Sequence, residues 1–146
     1  MPVDVLALER QVCFALAVAS RTVNAVYRPL LEPMGLTHPQ YLVLLALWES
    51  EPRSVRSLAD TLALDPGTLS PLVKRLEAAG YVTRSRDTDD ERVLRIELTA
   101  AGRALRRRAE QVPPEIVARL GMSLGELEDL RAGLDRVIAA AREATA

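Results

Sequence analysis

The sequence has 146 residues, of which 49% are hydrophobic and 3% aromatic, so it fits one domain whose interior is filled by Leu, Val and Ala. A formal net charge of -1 argues against a general nucleic-acid coat and leaves room for a sequence-specific binder, which needs a basic face rather than a basic total. A single cysteine and a single histidine exclude an internal disulfide and a multi-cysteine metal site and argue against a zinc enzyme; with no phosphate loop and no Ser/His/Asp set, neither metal nor cofactor is expected.

The first ten residues, MPVDVLALER, lack a basic start and a cleavage site, and no apolar run is long enough to cross a bilayer, so a cytoplasmic protein is expected. The periodicity predicts a long helix over residues 6–31. Leu6, Cys13, Leu16, Ala17, Ser20, Asn24, Tyr27 and Leu31 lie near one stripe, and Val12, Ala19, Val23, Val26 and Leu30 widen it. A helix apolar over so much of its girth wants more than one neighbour, which points to a partner subunit. Cys13 on such a face is, from the residues alone, most often an inert packing residue. Pro29 is expected to disturb the last turn, and Glu32-Pro33-Met34-Gly35 to end it.

Thr37 followed three places later by Gln40 is a capping box that opens the next helix, with Tyr41, Leu44, Leu45 and Trp48 as its buried face. Glu51-Pro52-Arg53 breaks it, and Ser54 caps a short helix with Leu58, Ala59 and Leu62 inward. After the tight link Ala63-Leu64, Asp65 caps another helix with Pro66 in its first turn. Leu69, Leu72, Val73 and Leu76 form its buried stripe; Ser70, Lys74, Arg75 and Glu77 fall off it. Pro71 removes an N–H early, so either the first turn is loosened or the helix begins nearer Thr68. Two short helices joined so closely, the second with exposed basic groups, make a helix-turn-helix.

Gly80 ends that helix, and the period changes to two. Residues 81–86 and 93–98 form two strands joined by the polar turn 87–91, presenting Arg84, Arg86 and Arg92 near the outer half. Such a hairpin beside a basic helix is a wing. Thr99 caps a helix carrying Arg103, Arg106, Arg107 and Arg108, a cluster that is most often a solvated face. Val112-Pro113-Pro114 interrupts or kinks it. Ser123 and Glu126 make a second capping box, opening a final helix with Leu124, Leu127, Leu130, Leu134, Val137, Ile138 and Ala141 on one stripe. The fold class is therefore mainly α with a small β-wing, a winged helix-turn-helix. Residues 1–146 form one domain, with a DNA-binding lobe at 37–98 and dimerisation helices at 1–36 and 99–146.

This order of elements, with Asp90-Glu91-Arg92 and then Leu98-Thr99-Ala100-Ala101-Gly102, resembles the MarR family of bacterial transcription regulators. The blocks Gln11-Val12-Cys13-Phe14, Tyr27-Arg28-Pro29-Leu30-Leu31 and Thr37-His38-Pro39-Gln40-Tyr41-Leu42 resemble the members of that family that sense organic hydroperoxides, and the match covers nearly the whole chain.

The resemblance implies a homodimeric repressor, not an enzyme, that sits on double-stranded operator DNA with an inverted repeat. Organic hydroperoxide would oxidise Cys13 to a sulfenic acid and release the DNA, and a small thiol would cap the product, since no second cysteine is present. Two tyrosines support the cysteine in those members. The first matches Tyr27; the second falls at His38, which is expected to donate an N–H to the thiolate instead, the more strongly if protonated. Thr68, Ser70, Pro71, Lys74 and Arg75 would face the major groove. Arg92, held by Asp90, would probe the minor groove, with Arg84 and Arg86 on phosphates.

Cys13 and Tyr27 share a face fourteen positions apart, which at about 1.5 Å per residue is roughly 20 Å along one helix. Contact between them would have to come from the other subunit. Competing readings are a regulator with a phenolic or other small apolar ligand at the dimer interface, a thiol peroxidase, and a winged helix that binds only protein.

Overall fold

The computed structural model describes residues 5–8 and 11–146. The chain divides into two compact units, residues 1–112 and 113–146. In the first unit the order is α1 (Val12–Leu31), a 3-10 turn (Glu32–Met34), α2 (His38–Glu49), β1 (Arg53–Ser54), α3 (Val55–Leu62), α4 (Pro66–Ala78), β2 (Val82–Arg86), β3 (Leu94–Leu98) and α5 (Ala100–Ala109). The second holds α6 (Val112–Leu120, from its second residue) and α7 (Leu124–Ala144). Among the described residues no helix is long and apolar enough to cross a membrane.

The first helix starts later than its periodicity predicts. Residues 5–8 form turns, and Gln11 takes an extended backbone as the N-cap, with its side-chain amide donating to the Val5 carbonyl at 2.8 Å. That bond and the Gln11 N–H to Leu8 carbonyl bond at 3.1 Å fold the approaching chain back instead of continuing the helix. Cys13 is thus the second residue of α1. At the other end the helix runs through Pro29 to Leu31, and Gly35, at φ 70°, supplies the left-handed turn that stops it.

The helix-turn-helix forms as its caps dictate. Gln40 N–H donates to Thr37 Oγ1 at 3.4 Å, and Thr37 N–H to Gln40 Oε1 at 3.0 Å, completing the capping box of α2. Helix α2 packs against α1, α3, α4 and α5, so its burial spreads over Tyr41, Val43, Leu44, Ala46 and Leu47, while Leu45 faces out. Ser57 N–H donates to Ser54 Oγ at 3.0 Å to begin α3. Helix α4 is continuous through Pro71, starting at Pro66; Leu69, Leu72, Val73 and Leu76 are buried, each contributing about 1.5–3 kcal/mol through apolar area removed from water. The α3–α4 link turns at Ala63, which holds φ 55° without being glycine.

The wing is a three-stranded antiparallel sheet of order β1-β3-β2. Strand β1 was not legible beforehand, because two residues carry no alternation. The Arg84↔Ile96 and Val82↔Leu98 register puts Val82, Ile96 and Leu98 into the core. Gly102 is where the sheet turns into α5: a Cβ there would collide with the Tyr81 carbonyl oxygen. Thr99 locks the same turn, accepting Gly102 N–H at 3.0 Å and donating to the Gly80 carbonyl at 2.6 Å. Part of the α5 arginine cluster is bonded rather than merely solvated. Arg108 Nη2 donates to the Pro33 carbonyl at 3.1 Å and Arg106 Nη1 to the Trp48 carbonyl at 3.4 Å.

In the second unit, Ser123 and Glu126 close the expected capping box, and no residue of α7 is buried.

Candidate functional site

Two groups of candidate residues occupy different parts of the first unit. The first is the face of α4 with the wing. Thr68, Pro71, Lys74 and Arg75 are exposed and Ser70 half-buried, all off the buried stripe of the helix. Asp65 stands at the N-cap position, but its side chain does not cap as expected: the carboxylate accepts the Thr68 hydroxyl instead of a backbone N–H, which holds that carboxyl below its ordinary range. At the wing tip the side chain of Arg92 is 91% exposed. Asp90 Oδ1 accepts both the Arg92 backbone N–H at 3.1 Å and Nε at 3.2 Å, so a local turn aims the guanidinium outward. Arg86 is exposed and donates to the Glu91 carbonyl at 3.3 Å. Arg84 is turned onto α4, with Nη2 2.9 Å from Glu77 Oε1, and so ties the wing to that helix. The Arg84 guanidinium in turn holds the Glu77 carboxyl below its usual range.

The second group lies where α1 meets α2. The rings of Tyr27 and His38 are tilted against one another with centroids 4.6 Å apart. Tyr41 completes a cluster, 5.9 Å from Tyr27 and 6.3 Å from His38. Its place on the buried face of α2 was legible; its meeting with the other two rings needs the α1–α2 packing, which no sequence period records. Burial pushes the phenols of Tyr27 and Tyr41 up from 10.0, the Tyr27 hydroxyl adding to the rise at Tyr41, so both remain O–H donors at neutral pH. Burial lowers His38 from 6.5, so its imidazole is neutral at pH 7, not protonated. It can still donate one N–H. A cavity of about 290 Å³ beside this cluster is lined by Asn24, Arg28, Glu32, Leu36, Thr37, His38 and Pro39.

Cys13 is not with them. It is exposed at the first turn of α1, where unpaired backbone N–H groups favour negative charge. It lies on the same helix as Tyr27, about 20 Å away at 1.5 Å per residue. It is therefore not a core residue of its own chain. Among the described residues no cluster of side chains could hold a metal ion.

The model of the MarR family matches residues 36–94, from the start of α2 to β3. The organic hydroperoxide resistance transcriptional regulator of Bacillus subtilis is 44% identical over 128 residues, spanning 88% of this chain and 85% of its own length. The chain belongs to the MarR family. Reduced AbfR bound to DNA, a Staphylococcus epidermidis protein, is similar at a TM-score of 0.83 and 33% identity, with 95% of each chain covered. CouR of Rhodococcus jostii RHA1, bound to p-coumaroyl-CoA, is similar at a TM-score of 0.76 and 30% identity, covering 90% of this chain and 94% of that one. As a MarR-family member the protein is a DNA-binding transcription regulator and not an enzyme, which removes the thiol peroxidase reading. The family match spans α2, α3, α4 and β2 and ends at the first residue of β3, and within it Thr68, Lys74, Arg75 and Arg92 stand exposed.

Proposed function

We propose that this MarR-family regulator is a homodimeric repressor released from operator DNA when organic hydroperoxide oxidises Cys13. The supporting observation is the separation within one chain: an aromatic cluster carrying O–H and N–H groups at the α1–α2 junction, and an exposed cysteine about 20 Å from its Tyr27 along the same helix. A second copy running the other way brings the sulfur of one chain to Tyr27 and His38 of the other. Exposed Val12 and Phe14 near Cys13, and Leu124, Leu130, Val137 and Ile138 on α7, are apolar surface for that copy to cover. The 44% identity to the Bacillus subtilis organic hydroperoxide regulator supports the same reading.

The chemistry needs only the sulfur and its donors. The Cys13 thiolate attacks the distal peroxide oxygen, the O–O bond breaks, and the organic part leaves as an alcohol after taking a proton. Sulfur is oxidised to sulfenic acid while the peroxide is reduced. A small thiol then displaces the sulfenic oxygen as water and leaves a mixed disulfide. The Tyr27 O–H and a neutral His38 N–H stabilise the thiolate beforehand. On the DNA side, Thr68, Ser70, Pro71, Lys74 and Arg75 face the major groove, and Arg92, aimed by Asp90, enters the minor groove. Arg86 and the Glu77-braced Arg84 approach phosphates. Residues 37–98 act as the reading lobe, with helices on either side dimerising.

A second reading has its own observation. The cavity beside His38 and the likeness to CouR favour a small phenolic ligand, with Cys13 a bystander. Operator binding by fluorescence anisotropy separates the two, using wild type and Cys13→Ser with cumene hydroperoxide or p-coumarate. Release of the wild type alone by the hydroperoxide supports oxidation of Cys13. Release of both proteins by the phenolic acid, with hydroperoxide inert, supports the ligand reading.

A further inference from the structure

The geometry points to Glu51, a residue outside both groups above, as a positioning residue for operator binding, acting through the wing. The inference rests on the wing touching DNA. Strand β1 pairs Arg53 with Ile96 and Ser54 with Arg95, and this antiparallel register, continued, sets position 51 opposite Leu98. The strand stops at Arg53, however, and Pro52 cannot donate to a ladder. The last N–H of β3 would be left without a strand partner on that side. The Glu51 side chain takes the place of the missing backbone: its Oε2 accepts Leu98 N–H at 2.8 Å.

The other oxygen, Oε1, accepts Arg103 Nε at 2.7 Å, and Arg103 also reaches Glu97 at 3.4 Å. A few residues earlier, Trp48 Nε1 donates to the Gly102 carbonyl at 2.9 Å. The end of α2 and the residues just after it therefore hold the turn from β3 into α5 at two points, Trp48 at the helix and Glu51 at the strand. The two Glu51 bonds are charge-assisted, made by a carboxylate only 21% exposed, and are the stronger kind. Their effect is amplified by leverage. Six residues separate Leu98 from Arg92, roughly 20 Å of extended chain, so a rotation of about 8° at the base moves the tip by roughly 3 Å. That is enough to take a guanidinium out of hydrogen-bond reach of a base edge.

A double-mutant cycle on operator affinity tests this, with thermal unfolding followed by circular dichroism to show that each variant is folded. Glu51→Ala is expected to weaken operator binding about tenfold, and Glu51→Gln, which keeps an acceptor for Leu98, by about threefold, both within what one wing arginine contributes. In an Arg92→Ala background the Glu51→Ala loss should shrink to less than about twofold, because a tip without its arginine gains nothing from being aimed. Equal losses in both backgrounds would mean that Glu51 supports the fold generally, and would overturn the inference, as would undiminished affinity of Glu51→Ala. Were Glu51→Ala to unfold, the same comparison is made with Glu51→Gln. Failure of the wing reading shows separately, as Arg92→Ala binding like wild type, and takes the inference with it.

Discussion

Tyr27 and His38, with ring centroids 4.6 Å apart, hold their protons in opposite senses: burial keeps the phenol protonated and the imidazole unprotonated. The consequence for pH follows from linkage. With the folded pKa of His38 below 6.5, the unfolded chain takes up the proton first as pH falls, so stability declines on acidification below that value and is unaffected by this group above it. The C2 proton of His38 should titrate below 6.5 in an NMR series, and His38→Phe should flatten the loss of stability between neutral pH and pH ~5. A midpoint at or above 6.5 would show that burial does not hold the ring neutral and would contradict this account. Ala63 carries a Cβ that opposes its left-handed backbone at φ 55°. Ala63→Gly relieves that conflict and should raise the unfolding free energy by about 0.5–1 kcal/mol, after the extra freedom of glycine in the unfolded chain is subtracted, read as a higher denaturant midpoint.

Among the elements, those that announce themselves by side-chain chemistry at fixed spacing were readable in advance. Thr37 with Gln40, Ser54, Thr99, and Ser123 with Glu126 all accept the backbone donors expected of them. The stripe of α4 and the hairpin of the wing follow from periods of 3.6 and 2. What was not readable depends on contacts distant in sequence. The two residues of β1 are a strand only because β3 lies beside them. The start of α1 moves to Val12 because Gln11 finds the Val5 carbonyl. Arg84 points to Glu77, and Tyr41 meets Tyr27, only once helices and sheet have packed. Gly102 is a case where sequence showed the position and structure the reason. Gly102→Ala forces the added Cβ against the Tyr81 carbonyl and should destabilise by about 1–3 kcal/mol, loosening the wing base. A melting temperature equal to wild type would show that the β3–α5 turn is softer than its hydrogen bonds imply.

For the whole molecule the question is what a second copy adds. One chain alone leaves its only cysteine exposed and its aromatic cluster distant, and α1 and α7 each carry apolar side chains open to solvent. Pairing would bury that surface and, in the same step, build a sulfur site from two chains. Chemistry at sulfur would then lie on the interface that sets the spacing of the two reading helices, where a small shift is amplified. Sedimentation at micromolar concentration should therefore give a dimer.

The claim that the site is built across two chains has a direct test in mixed dimers carrying one Cys13→Ser chain. In one version Tyr27→Phe is placed on the other chain; in the second both substitutions are on the same chain. Each dimer holds a single Cys13, whose conversion to sulfenic acid under limiting cumene hydroperoxide is followed by a sulfenate-specific probe. With the substitutions on separate chains, the remaining Cys13 faces an intact Tyr27 and should react at the wild-type rate. With both on one chain it faces phenylalanine and should react about tenfold more slowly, the order of one hydrogen bond to a charged group. The reverse pattern would place sulfur and phenol in the same chain and contradict the account.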